Sequence, residues 1–116
     1  VDRIIIKFKA EDQELKRLSP LQHFACGTKG YIFAQFELGS RWEGFDRIAA
    51  VWSSKNKSID TEIMPSEVIE IPSSVLEDTG ILKVNLYAEQ KEGEKLALRL
   101  TSHSCDVLKS DYTCLM

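Results

Sequence analysis

Two pairs of residues carry donor types that suit a tetrahedral zinc ion, His23-x-x-Cys26 and His103-x-Cys105. They lie near opposite ends of the chain, so only the fold brings them together. The first pair resembles half of a zinc knuckle. The second, read as part of a strand, points both side chains to one face and lacks the tight spacing of structural zinc sites. The same residues offer a Cys–His nucleophile, yet no local signature surrounds either cysteine and nothing suggests an oxyanion hole. Inert cysteines are the expectation, with no metal and no cofactor. The carboxylate pairs Glu11-Asp12 and Glu77-Asp78 fall at turns or a helix end, where solvated charge is the ordinary role. There is no Gly-rich phosphate loop and no dinucleotide fingerprint. No catalytic residue is assigned, and the protein is not expected to be an enzyme.

The elements that must carry these residues are strands. Hydrophobic residues alternate with period two, against the 3.6 of a helix. Ile4, Ile6 and Phe8 share one face of an opening strand, with Arg3, Lys7 and Lys9 on the other. Gln13 to Leu18 is a short strand or a helical turn, closed by Pro20. The alternation returns with Ile32, Ala34, Phe36 and Leu38, and again with Ile48, Ala50 and Trp52. There Ala49 and Val51 make both faces apolar, as suits a strand inside a sheet. Ile59, Thr61 and Ile63 form a further strand, stopped by Pro65, and Val68 to Ile71 a short one ended by Pro72. A single helical turn is expected near 73–78, capped by serine and left through Gly80. Leu82, Val84, Leu86 and Ala88, then Leu96, Leu98 and Leu100, make a hairpin through Glu92-Gly93-Glu94, and Cys105 and Val107 begin a last strand. The total is about seven to nine short strands at the spacing of a sandwich or barrel.

At 116 residues and 43% hydrophobic, the chain is expected to be one β-sandwich domain over residues 1–116 with a core of its own. A net charge of −3, with both signs interspersed, offers no field for a phosphate backbone, so nucleic acid is not an expected partner. No apolar run approaches the roughly 20 residues that cross a bilayer, and Val1-Asp2-Arg3-Ile4 lacks a signal-peptide layout. A soluble protein without membrane contact is expected. Three cysteines, Cys26, Cys105 and Cys114, are odd in number and unpaired in spacing, which favours free thiols and a reducing compartment. Cys114 stands one place too late for a prenylation box.

Three stretches carry a family resemblance. They are Phe36-Glu37-Leu38 with Arg41-Trp42-Glu43-Gly44-Phe45-Asp46-Arg47-Ile48-Ala49; Ile69-Glu70-Ile71-Pro72-Ser73-Ser74-Val75-Leu76 leading to Gly80-Ile81-Leu82-Lys83-Val84; and Leu98-Arg99-Leu100-Thr101. In this order they resemble the immunoglobulin-like β-sandwich domain near the N-termini of baseplate and minor tail proteins of Gram-positive phages and prophages, such as the N-terminal domain of baseplate upper proteins. The motifs are packing and turn signatures, and they span most of the chain. Trp52 stands where the family usually has Phe, and the family's domain usually heads a longer protein. The resemblance implies a virion structural protein, assembled in the bacterial host cytoplasm. Its expected partners are other tail or baseplate proteins, and a homo-oligomer is expected.

Trp42 and Phe45 are read as core plugs at a corner relieved by Gly44. Tyr31, Phe33 and Tyr87 fall opposite the apolar faces of their strands and are candidate interface anchors, or else pack on a neighbouring layer. The alternative function is a small sandwich that recognises carbohydrate or peptide, with Tyr31, Trp42 or Tyr87 stacking on the ligand.

Overall fold

The computed structural model describes residues 4–20, 22–24, 30–55, 57–77 and 80–110, with 22–24, 96–97 and 108–110 as backbone only. The alternation becomes strands β1 (Ile4–Glu11), β2 (Glu14–Arg17), β3 (Gln22–Phe24), β4 (Ile32–Leu38), β5 (Arg47–Ser54), β6 (Lys57–Glu62), β7 (Val68–Glu70), β8 (Gly80–Glu92), β9 (Lys95–Thr101) and β10 (Cys105–Ser110). They form two sheets, one ordered β2-β1-β4-β7, the other β3-β10-β8-β5-β6 with β9 added on β8. This is the all-β sandwich expected from the sequence. The strand beyond the expected seven to nine is β3, whose three residues are too few to show a period. It exists through parallel pairing with β10.

Each sheet turns one face inward. Ile6, Phe8 and Ala10 of β1 and Ile32, Ala34 and Phe36 of β4 meet Ile48, Ala50 and Trp52 of β5 and Leu82, Val84, Leu86 and Ala88 of β8. β1 and β4 are parallel and in register from Ile4↔Ile32 to Ala10↔Leu38, so their inward rows coincide. Phe8 and Phe36 stack with centroids 5.0 Å apart, and Phe36 meets Trp52 of the opposite sheet at 6.0 Å. As its two apolar faces suggested, β5 lies inside its sheet, between β8 and β6, and Ala49 on its outer face is fully buried.

The open sides of the sandwich are closed differently. On one, the Arg17 guanidinium donates to the Asp106 carbonyl at 2.7 Å and the Ser19 carbonyl at 2.8 Å, tying β2 to β10. On the other, residues 63–67 cross from β6 to β7, with the amides of Ile63 and Ser66 donating to Ile48 O and Phe36 O, and after β7 the Ile71 amide donates to Ile32 O. The helical turn expected near 73–78 is a 3-10 turn, Ser73–Leu76. Pro72 takes its N-cap position and no side chain caps it, which corrects the expected serine cap. Burial of Val75 and Leu76 holds the turn in place of a cap.

The two tryptophans are anchored unequally. The Trp42 indole N–H donates to the Asp12 carbonyl at 2.8 Å, whereas that of Trp52 is buried with no hydrogen-bond partner among the described residues. A buried donor without an acceptor costs about 1–3 kcal/mol, and removing it offsets part of the packing energy given up when indole is trimmed to phenyl. Trp42→Phe is therefore expected to lower unfolding free energy by about 2–3 kcal/mol and Trp52→Phe by about 1 kcal/mol or less. Urea denaturation measures both; the reverse order would refute this account of the two indoles.

Candidate functional site

Of the residues singled out for zinc, the described side chains are His103 and Cys105, and they do not share a strand face. β9 ends at Thr101 and β10 begins at Cys105, so His103 lies in the connection between them and not on a strand beside Cys105. His103 is exposed and its amide donates to the Gln13 carbonyl. Cys105 is half-buried against the core, and burial pushes its thiol pKa up, away from the thiolate a metal or a nucleophile needs. The side chain of His23, together with Cys26 and Cys114, lies outside the described residues. Among the described residues, no three His, Cys, Asp or Glu side chains are grouped to hold a cation.

The carboxylate pairs are held by cations. Lys9 lies 3.0 Å from Glu11, Arg41 2.7 Å from Asp12 and Lys57 2.9 Å from Glu77. The Lys9 ammonium, by hydrogen bond and by charge, lowers the Glu11 pKa, the opposite of what a general acid requires. Asp78 is outside the described residues.

The outward aromatics divide. Tyr31 is 46% exposed at the start of β4, and Phe33 is half-buried on the outer face of the same sheet. Tyr87 faces out from β8, but its ring is covered. The guanidinium carbons of Arg47 and Arg99 lie 5.8 and 5.5 Å from its centroid. Its hydroxyl donates to Asp60 at 2.8 Å and accepts from Arg47 at 3.1 Å. Glu89, its side chain only 13% exposed, sits 3.4 Å from Arg99 and 4.0 Å from Arg47. Tyr87 is thus part of a closed charge network and no open stacking platform. The sequence reading missed this network, although the outward parity of Arg47, Tyr87, Glu89 and Arg99 was there to be read. What it lacked was the register that pairs Arg47 with Glu89 and Glu89 with Arg99.

Trp42 is a core residue, 1% exposed, and Phe45 packs half-buried beside it, as expected of core plugs. Around them the structure opens a cleft of about 360 Å³, bounded by the end of β4, the 3-10 turn Ser40–Trp42, the start of β5 and the residues that follow β6. Leu38, Phe45, Ile63, Met64 and Pro65 give it an apolar lining over Trp42. Met64 is 58% exposed at its mouth.

A second open feature is the β8–β9 hairpin. β8 runs for 13 residues, and its pairing with β5 ends at Glu89, so the tip continues with β9 alone. Among the described residues β9 pairs only with β8, and Leu98 on it is 57% exposed. Leu98 pairs with Gln90 and keeps the face of Leu100, but it lies past Glu89, where β8 has lost β5 as a neighbour and the core has ended.

No protein-family model and no curated protein matches the sequence. Among solved structures, the N-terminal domain of phage TP901-1 ORF48 matches with a TM-score of 0.53 and 9% identity, over 94% of this chain and 99% of that one. The chain shares its fold with a phage protein domain. The resemblance to phage tail domains read from the corner, Ile-Pro and Leu-x-Leu motifs is borne out at the level of the fold. None of the described helices is long and apolar enough to cross a membrane.

The Tyr87 hydroxyl bonded to Asp60, together with burial and the Asp60 charge, raises the phenol's pKa, since each disfavours phenolate. In a titration followed by NMR of ring-labelled tyrosine, Tyr87 is expected to ionise above the ordinary phenol range. Asp60→Asn should bring that midpoint down. An unchanged midpoint would show that Asp60 does not hold the hydroxyl.

Proposed function

We propose that this protein is a structural component of a phage or prophage tail, a β-sandwich that works by contact with other tail proteins and not by catalysis. The observation that carries the reading is the match to a phage protein domain along nearly the whole of both chains. The surface features support it: among the described residues the chemistry-bearing side chains are dispersed or ion-paired, while the open features are an apolar cleft and a strand edge with no neighbour. An edge strand offers its N–H and C=O groups as a template for another chain, and here Leu98 adds an apolar contact on the exposed overhang. We place the homo-oligomeric or hetero-oligomeric contact of the assembly at this edge, and the finished protein at the tail tip of the virion.

The carbohydrate- or peptide-stacking alternative is weakened by the burial of Trp42 and the covering of Tyr87, which leave Tyr31 alone of its three aromatics open.

The test is to induce particles from the source strain, purify them on a density gradient and label them with gold-conjugated antibody to this chain. Gold at the tail tip is the expected result; particles that never carry the chain would overturn the reading. Light scattering coupled to gel filtration tests the edge separately. If the chain forms a closed ring, Leu98→Lys should lower its mass towards the monomer, because a charge on an edge strand opposes pairing.

A further inference from the structure

We propose that the cleft over Trp42 docks a segment of a partner protein that presents one bulky apolar side chain between lysines or arginines. The cleft volume of about 360 Å³ is at the low end of the ~300–1,000 Å³ of ligand pockets, enough for a large side chain and little more. Such an anchor in an apolar socket is the usual centre of a protein contact. Met64, flexible and 58% exposed, can shift to fit what enters.

The rim chooses the charge of the partner. Glu43, Asp46 and Glu62 line it with one cation, Arg47. Arg47 is engaged elsewhere, by the Tyr87 hydroxyl and by Glu89, and Asp46 accepts from the Lys91 amide at 2.9 Å. Among the described residues neither Glu43 nor Glu62 has an ion pair, and both are exposed. An apolar socket edged by these carboxylates repels acidic segments and favours basic ones.

The socket is also preformed. The Gly39 amide donates to Ala10 O at 2.8 Å, Trp42 is bonded to Asp12 O, and Arg41 is ion-paired with Asp12, so the β1–β2 hairpin fixes the turn that forms one wall. The corner closes at Gly44, whose φ of +84° suits glycine, with nothing within 4 Å of where a Cβ would stand.

This inference rests on the assembly reading only in taking the occupant to be a protein segment. Its test uses the isolated full chain, titrated at low ionic strength with the amidated, acetylated peptides KKFKK, EEFEE and KKSKK, and reads the Met64 methyl and Trp42 indole resonances by NMR. KKFKK is expected to shift both, with EEFEE and KKSKK at least about tenfold weaker. The double substitution Glu43→Lys with Glu62→Lys, on exposed side chains, should weaken KKFKK at least about fivefold with the spectrum otherwise that of the folded protein. Equal binding of EEFEE or KKSKK, or no shift with KKFKK, would overturn the proposal. So would shifts of these resonances with protein concentration alone, which would assign the cleft to a second copy. A silent titration beside labelled tail tips removes the cleft and leaves the tail reading; a positive one beside unlabelled particles does the reverse.

Discussion

Phe36 is where the two sheets of this sandwich meet. Stacked on Phe8 within its own sheet and tilted against Trp52 of the other, it fixes both the in-sheet register of β1 with β4 and the approach of β5. Along each strand, a small inward neighbour leaves such rings room between the sheets. Ala34 precedes Phe36 and Ala50 precedes Trp52 at that spacing, and both are fully buried. A one-residue slip of β1 or β4 would turn Phe8 or Phe36 to solvent, so the stack selects the register as much as it stabilises it.

From that interior the outward positions follow by parity, and they behave differently at the two ends of the second sheet. On the outer face around Tyr87, where β5, β8 and β9 lie side by side, Arg47, Arg99, Glu89 and Asp60 satisfy one another and leave little to offer a partner. At the corner where β4 gives way to β5, the chain leaves the ladder, and apolar side chains that no strand covers gather around Trp42. Beyond Glu89 the hairpin outruns its neighbours and exposes an edge. Surface that is internally satisfied and surface that is not are thus separated by where pairing stops.

How much of this could be read from the sequence depends on range. Alternation in Ile4–Phe8, Ile32–Leu38, Ile48–Trp52 and Leu82–Ala88 marked the strands and their inward residues, because period two is a local property; Ile4, at the open end of β1, is the exception at 41% exposed. The positive φ of Gly93 in the β8–β9 turn was legible for the same reason. The parallel pairings of β1 with β4 and of β3 with β10 were not, since they join segments that no local pattern connects. The exposure of Leu98, the position of His103 off the strand and the covering of Tyr87 escaped with them, each depending on where a neighbouring strand ends. The Trp42-Glu43-Gly44-Phe45 corner was recognised as packing, but its cleft needed Met64 and Pro65 from the far side of β6, which the linear sequence does not place beside it.

The 9% identity with the phage domain is instructive about what a shared fold can carry. Interior positions need only an apolar side chain of suitable size, so two chains can keep the sandwich while agreeing at few residues. Contacts with a partner are more demanding: they depend on which side chains stand at a corner and which charges ring it. Glu43, Glu62, Met64 and Leu98 contribute little to the core, so folding places little restraint on them. On the proposed tail reading, these are the side chains that would select a partner, because the corner and the overhanging hairpin are where the sheet leaves apolar groups and a strand edge open.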